Sequence, residues 1–322
     1  MQIQKILTVV ICVHMCISSG ENMYTLSGGR RGRRSLARTV FNRMQEDEKH
    51  RTDNHSYWYF VKRSSLPADL CDSFVQLHQD GETGDFLENC YEKSDWVFTQ
   101  IYHSFAKAFL SWFMENTSIN GWLGRGSMFV ISRSQFTTLL DIEETWTGEN
   151  MLDLGAGDGE VTKKMAPYFE SVYATETSKP MVTRLKEKGY KILDLDKWDD
   201  GTIVFDFVNC MNLLDRCDTP VKILHSIKQV LKPNGRVIVA IVLPFSPFVE
   251  FGASDKKPTE NIYLNGTTFE EQSISLVRDV FEPAGFKLEK FTRVPYLCEG
   301  DMESSFYVLD DALFVLSLKD NG

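Results

Sequence analysis

A glycine-rich turn between a short apolar run and an amphipathic segment constrains the fold of this chain most. Residues 151–154 form the apolar run and predict a strand, and Gly155, Gly157 and Gly159 lie in the turn. A segment with helical spacing of apolar residues begins at Glu160. Glycine is favoured where the backbone takes a positive φ or approaches a ligand closely. This strand–turn–helix unit is typical of parallel sheets that bind nucleotides.

The rest of the C-terminal half repeats this alternation of apolar runs and amphipathic segments. Strand–helix alternation predicts a mostly parallel sheet with helices on both faces. We therefore expect an α/β, Rossmann-like domain over residues 147–320. The predicted strands are 151–154, 171–175, 190–193, 202–210, 236–243, 286–294 and 306–318, and the predicted helices are 160–169, 179–188, 219–231 and 269–281.

The spacing of the glycines points to a cofactor without phosphate. It reads GxGxG, and Glu160 stands where a dinucleotide fingerprint needs a third glycine or an alanine. Pyrophosphate favours bare backbone amides, whereas Asp153, Asp158 and Glu160 bring carboxylates to this turn. The sulfonium and ammonium of S-adenosyl-L-methionine suit such a site better.

An acidic residue on the second predicted strand supports a nucleoside ligand. Glu176 ends that strand, where a carboxylate can accept both ribose hydroxyls. The GxGxG turn with this spaced glutamate therefore predicts a seven-β-strand methyltransferase fold. Asp196, after the third strand, is placed to take the adenine amino group, and a solvated acidic loop is an equal alternative. The expected cofactor-binding residues are Asp153, Gly155, Gly157, Gly159, Glu176, Asp196, Asn212, Tyr296, Arg125 and Ser127.

The N-terminal half predicts three further segments. Residues 1–20, in which Lys5 precedes the apolar run 6–17, are typical of a signal peptide. The alternative is an uncleaved membrane anchor. We expect no other membrane span. Residues 21–56 are polar and basic and predict a flexible tail. Residues 57–146 predict a helical extension, clearest at 96–113. It ends in a glycine-rich loop, residues 121–129, that is either a lid bearing Arg125 and Ser127 or a simple turn.

The net charge, the cysteines and the glycosylation sequons limit which partners and which cellular compartment we expect. The net charge of −10 argues against a nucleic-acid-binding protein, which needs a high density of Lys and Arg. The irregular spacing of the cysteines predicts neither a disulfide framework nor a metal site, although a bridge between Cys71 and Cys90 stays open. Sequons occur at Asn54, Asn116 and Asn265, and Asn54 in the tail is the best placed for glycosylation.

Several long motifs resemble those of one family, the DREV seven-β-strand methyltransferases. The resemblance runs from about Trp58 onward and leaves out the N-terminal tail. The motifs are SINGWLGRGSMFV (118–130), LDLGAGDGEVTK (152–163), YATE (173–176), NLLDRCD (212–218), GRVIVAIVLPF (235–245), PYLCEGDM (295–302) and YVLDDA (307–312).

This resemblance implies a specific activity. It implies transfer of one methyl group from S-adenosylmethionine to the N-pros (N1) ring nitrogen of histidine in protein segments of the form His-x-His, where x is small. It also implies residence in the endoplasmic reticulum and the mitochondrion. A small-molecule or other protein methyltransferase, or a noncatalytic scaffold, would keep the same fold.

The loop after the fourth predicted strand holds the expected catalytic residues. Asn212 and Asp215 lie where the methyl group would be presented, and Asp215 can accept the N–H of the substrate ring. Alternatively, Asp215 only pairs with Arg216 or Arg236. Tyr296 and Tyr307 are expected to contact the cofactor and the ring, or to pack in the core, and Asp310 and Asp311 either bind the second histidine or cap a strand.

Overall fold

The computed structural model describes residues 36–96, 126–249 and 256–319. The predicted signal peptide, residues 97–113 of the predicted 96–113 helix, Asn116 and Arg125 lie outside these residues. Within the described ranges no helix is long and apolar enough to cross a membrane. The helices are α1 (Leu36–Thr52), α2 (Ala68–Ser73), α3 (Gly81–Asp95), α4 (Arg133–Leu140), α5 (Thr162–Met165), α6 (Lys179–Glu187), α7 (Pro220–Val230) and α8 (Phe269–Ser275).

One eight-stranded sheet organises the chain. Its strands are β1 (Met128–Phe129), β2 (Gly148–Leu154), β3 (Phe169–Thr175), β4 (Lys191–Ile192), β5 (Phe205–Met211), β6 (Leu231–Val242), β7 (Phe286–Glu299) and β8 (Phe306–Leu318). They are arranged in the order β1-β7-β8-β6-β5-β2-β3-β4. Strands β2 to β6 pair in parallel, and β8 runs antiparallel to β6. This is the predicted α/β, Rossmann-like fold.

The order of the strands fixes where a ligand can bind. Strand β2 lies between β3 and β5, and the register pairs Asp153 with Ala174 on one side and with Asn209 on the other. The chain therefore leaves β2 in one direction and later returns on its other side. A crevice forms at such a switch point, outside the carboxyl ends of the strands.

Apolar side chains on both faces of the sheet hold these strands in place. Leu152, Val208 and Val239 are fully buried on adjacent parallel strands, as expected for a sheet covered on both faces. On β8, Phe314 packs its ring against Phe281 and Phe291, at centroid distances of 5.2 and 6.0 Å. Burying such side chains stabilises the fold by about 1.5–3 kcal/mol each.

Two helices differ from the prediction for identifiable reasons. The predicted 160–169 helix ends at Met165 and continues as one 3₁₀ turn, Ala166–Tyr168, because Pro167 has no N–H to donate. The predicted 269–281 helix is α-helical only over α8 and then π-helical over Leu276–Phe281.

The prediction of a flexible tail over residues 21–56 is wrong for residues 36–52, which form α1. This helix has no apolar stripe, which is why its sequence did not indicate it. Arg43 is instead 1% exposed and lies 3.8 Å from a carboxylate oxygen of Asp47 and 3.5 Å from one of Asp95. The helix also packs through His50, whose ring lies edge-on to that of Phe306 at a centroid distance of 5.0 Å.

The predicted boundary at residue 146 also differs from the structure. The chain forms two compact units, one of Met1–His55, Gln79–Met128 and Leu297–Leu309, the other of Ser56–His78, Phe129–Tyr296 and Asp310–Gly322. The segment Ser56–His78 belongs with the sheet because Val75 donates its N–H to Phe291 O at 2.8 Å. No disulfide bond joins Cys71 and Cys90, the bridge that the sequence left open.

Candidate active site

The glycine turn after β2 adopts a backbone conformation that requires glycine. Gly155, Gly157 and Gly159 have φ values of 68°, 56° and 76°. A Cβ at Gly155 would lie 3.1 Å from Leu213 Cδ1, and one at Gly159 would lie 2.8 Å from Leu185 Cδ2. The turn is therefore packed against α6 on one side and against the loop after β5 on the other.

Glu176 lies beside this turn, as predicted. Its Oε2 accepts the N–H of Gly157 at 3.0 Å, and its Oε1 accepts the N–H of Ser178 at 2.8 Å. These bonds fix the carboxylate at the carboxyl end of β3. Oε1 also accepts the hydroxyl of Thr177 at 3.2 Å, whereas Oε2 retains a lone pair that can accept a hydroxyl of a ribose.

Asp153 supports the turn from within the sheet. The side chain is 3% exposed, and its Oδ2 accepts the hydroxyl of Thr162 at 2.5 Å. Burial raises the pKa of Asp153 to about 7, against the effect of the Thr162 bond and of neighbouring Asn209. Asp153 is thus a mostly protonated group below neutral pH and contributes less negative charge than its sequence position suggests.

The pKa values of the other two carboxylates of the turn, Glu160 and Asp158, are also shifted. Glu160 is bonded to Lys188 and lies 3.7 Å from Lys163 Nζ. Burial opposes ionisation of Glu160, but these two lysines prevail and lower its pKa. Burial raises the pKa of Asp158. Two lysines therefore balance the charge of Glu160, and the raised pKa of Asp153 reduces its charge near neutral pH, so the shape of the turn carries the case for the cofactor.

The loop after β5 brings three polar side chains together. Asn212 has a φ of 51°, its N–H donates to Ala240 O at 2.9 Å, and its Nδ2 donates to Asp311 Oδ2 at 2.9 Å. Asp215 is 3% exposed, and Arg216 Nε donates to its Oδ2 at 3.1 Å. Among the side chains that the structure describes, Asn212 Oδ1, Asp215 Oδ1 and Asp311 Oδ1 are buried without a hydrogen-bond partner.

A buried oxygen without a partner in the protein is able to accept a hydrogen bond from a ligand or from water. Arg216 pairs with Asp215, as one alternative foresaw, but engages only one oxygen. Arg236 instead pairs with Glu289 at 2.9 Å. Burial raises the pKa of Asp215, although Arg216 lowers it, so the carboxylate is a stronger base than one in water.

The remaining predicted site residues that the structure describes are Asp196, Tyr296, Tyr307 and Ser127. Asp196 is exposed, and its N–H donates to Asp194 Oδ1 at 3.1 Å, which agrees with the alternative of a solvated loop. Tyr296 is half-buried on β7 in the sheet unit. Tyr307 and Ser127 belong to the other unit, where the Tyr307 hydroxyl donates to Asp301 Oδ1 at 3.1 Å and Ser127 O accepts the N–H of Glu299 at 2.9 Å.

The residues at the carboxyl ends of β2, β3 and β5 fit S-adenosylmethionine. Glu176 would hold the ribose, and the glycine turn lets the ligand approach the backbone. The buried Oδ1 atoms of Asn212 and Asp215 are acceptors, suited to a cationic or N–H-bearing group. The described residues contain no group of three or more His, Cys, Asp or Glu side chains that could hold a metal ion.

Glu176→Ala should weaken binding of S-adenosylmethionine by roughly 10- to 150-fold. A hydrogen bond to a charged group contributes about 1.5–3 kcal/mol, and the variant also frees the turn amide of Gly157. Calorimetric titration measures the change. Glu187→Ala, at an exposed position on α6, is the matched control and should bind normally. Equal affinity of the two variants for S-adenosylmethionine would show that Glu176 does not bind the cofactor.

Asp153→Asn should reveal the raised pKa of Asp153 in the stability of the protein. Because the folded-state pKa is raised, protonation favours folding, and this stabilisation is lost as pH rises towards about 7. Relative to the variant, the parent should lose about 2–3 kcal/mol of unfolding free energy between pH 5 and pH 8, at about 1.4 kcal/mol per pKa unit. Urea unfolding at both values measures it, with exposed Asp72→Asn as the control. A difference that does not change with pH would contradict the assignment.

Comparison with known proteins agrees with this geometry. The DREV methyltransferase family matches residues 58–318. A mitochondrial ubiquinone biosynthesis O-methyltransferase of Schizosaccharomyces pombe is 29% identical over 111 residues, 30% of this chain and 39% of that protein. The ubiquinone/menaquinone biosynthesis C-methyltransferase UbiE of Desulfotalea psychrophila is 26% identical over 161 residues, 42% of this chain and 65% of that protein. The matches thus span less than two thirds of these relatives.

A solved structure shows only a distant likeness. The N-methyltransferase NodS of Bradyrhizobium japonicum, in complex with S-adenosyl-L-homocysteine, has a TM-score of 0.36 and 13% identity, covering 53% of this chain and 79% of NodS. A TM-score this low carries no weight for the activity of this chain. The family match covers most of the sequence, including the glycine turn, Glu176 and the Asn212–Asp215 loop. The chain therefore belongs to the DREV methyltransferase family, and S-adenosylmethionine is its cofactor.

Proposed function

We propose that this methyltransferase modifies the N-pros (N1) ring nitrogen of histidine in protein segments of the form His-x-His, with x small. The DREV-like motifs of the sequence support this substrate. The observation that carries the proposal is the Asp215 side chain, which is buried at the carboxyl end of β5 with Oδ1 unpartnered. A neutral imidazole supplies one N–H for such an acceptor and one bare nitrogen.

Methylation of a histidine ring depends more on how the ring is oriented than on making it a stronger nucleophile. Imidazole has a pKa near 6.5, so most of it is neutral and nucleophilic at pH 7. When bound, S-adenosylmethionine supplies a methyl group on a sulfonium sulfur. Asp215 accepts the N–H of one ring nitrogen, which fixes the tautomer and turns the lone pair of the other nitrogen towards that methyl carbon.

Asp215 also stabilises the positive charge that develops on the ring. The nitrogen lone pair forms the new N–C bond as the C–S bond breaks, and the ring becomes an imidazolium. A carboxylate against its N–H stabilises this cation and can take the proton. The raised pKa of Asp215 makes it a better acceptor for that proton. Arg216 on Oδ2 holds the carboxylate so that Oδ1 is the oxygen left for the ring.

A small-molecule methyltransferase is the second candidate. The named quinone-biosynthesis relatives favour it, although they match only part of this chain. A noncatalytic scaffold is disfavoured because both the glycine turn and the ribose-binding glutamate are intact. The two enzyme classes are separated by incubation with labelled S-adenosylmethionine, a panel of His-x-His, Lys and Arg peptides, and a catechol. We expect label on the His-x-His peptides, whereas label on the others alone would refute the proposal.

Asp215→Asn should reduce single-turnover methylation of a His-x-His peptide by about 10²–10⁴-fold at saturating cofactor. The amide keeps the volume of the side chain but loses the charge, and it can present NH₂ to the ring and favour the wrong tautomer. Higher pH should restore little of the rate. Asp72→Asn, the same change at an exposed site, is the control. A rate for Asp215→Asn within threefold of the parent would place the catalytic role elsewhere.

We also propose that residues 1–20 direct the chain into the secretory pathway, towards the endoplasmic reticulum, with the mitochondrion as a possible second site. Lys5 and the following short apolar run support this proposal. Deleting residues 1–20 should abolish both membrane-fraction association and any glycan on Asn54. Cell fractionation of the deletion variant and of Asn54→Gln measures the two effects separately. An unchanged distribution of the deletion variant would show that the segment is not a signal.

A further inference from the structure

A fully buried carboxyl group contacts the active-site loop from the neighbouring antiparallel strand. Asp311 lies on β8 opposite Val242 of β6, and its side chain is 0% exposed. Its Oδ2 accepts Asn212 Nδ2 at 2.9 Å. A polar residue in a run of buried apolar residues is costly unless it is hydrogen-bonded, so this contact calls for an explanation.

The contact restrains an unusual backbone conformation. Asn212 has a φ of 51°, in the left-handed region that most residues avoid. Its backbone N–H is held by Ala240 O, and its side chain is held by Asp311. Three residues later the same loop presents Asp215. Restraint of Asn212 at two points therefore sets the path of the backbone that carries the Asp215 carboxylate.

We propose that Asp311 is a positioning residue for methyl transfer, which holds the Asn212 turn through its side-chain hydrogen bond and thereby aims Asp215 at the substrate ring. This inference rests on the proposed role of Asp215. Asp311 itself does not need to touch the substrate or the cofactor. Its effect is on the rate of the chemical step and not on the fold of the sheet.

Burial favours the uncharged form of Asp311 in this role. The ionisable groups that face it are the carboxyls of Asp215 and Asp310, and Asp310 is already paired with Arg293 at 2.6 Å. Burial raises the pKa of Asp311 well above its usual range, and the charge of Asp215 raises it further. Two buried carboxyls without a shared cation cannot both ionise easily. Keeping Asp311 protonated therefore leaves the negative charge on Asp215.

Two substitutions of similar size separate this role from simple packing. Asp311→Asn stays neutral and can still accept Asn212 Nδ2, so its kcat on a His-x-His peptide should stay within threefold of the parent from pH 6 to pH 9. Asp311→Leu cannot accept the bond, and its kcat should fall at least tenfold while the peptide KM changes less than threefold. Asp72→Asn, at an exposed position on α2, is the control and should retain activity.

Backbone hydrogen exchange over residues 212–215, measured without peptide, tests the positioning independently of the substrate. We expect exchange at least tenfold faster in Asp311→Leu and unchanged in Asp311→Asn. If Asp311→Leu does not fold, Asn212→Ala removes the same bond from its donor side and should show the same faster exchange. Unchanged exchange in the variants that lack the bond, or equal impairment of Asp311→Asn and Asp311→Leu, would overturn the inference. Failure of histidine peptides as substrates, with the exchange result intact, would refute only the proposed function.

Discussion

The parallel pairing of β2 with both β3 and β5 is the constraint on which the active site depends. It brings three loops to one edge of the sheet: the glycine turn, the loop that starts at Glu176 and the loop that starts at Asn212. The turn can take its path only because Gly155 and Gly159 lack a Cβ where Leu213 and Leu185 approach. A side chain at either position would push the cofactor-binding turn away from its neighbours.

Burial tunes the carboxyl groups of this site to different tasks. Asp153 accepts the hydroxyl of Thr162 and Asp311 accepts Asn212 Nδ2, and burial raises the pKa of both carboxyls, so they support neighbouring loops with less negative charge than exposed carboxylates would carry. Asp215 has an arginine on one oxygen and remains the group best able to carry a negative charge. Glu176 is held by backbone amides at the rim. Side chains of one type thus brace the turn and, in the proposed function, bind the ribose and orient the substrate.

The sequence predicts the sheet well because its strands and turns follow local patterns. A glycine turn after an apolar run and a glutamate at the end of the next strand are visible without tertiary contacts. The lysine that balances Glu160 could not be predicted from the local sequence, because Lys188 lies 28 positions further along the chain. Helix α1 was missed because its buried Arg43 is compensated by Asp95, which lies on α3. The bond between Asp311 and Asn212 spans 99 positions, and the only local signal for it is an acidic residue in an apolar strand.

The central claim is that Asp215 orients a histidine ring by accepting one of its N–H groups. A crystal structure of the enzyme with S-adenosylhomocysteine and a His-x-His peptide tests this most directly. The account predicts a ring nitrogen within about 2.7–3.2 Å of Asp215 Oδ1, with the other ring nitrogen facing the cofactor sulfur. A ring whose nitrogens both lie beyond hydrogen-bonding distance of Asp215 would contradict it.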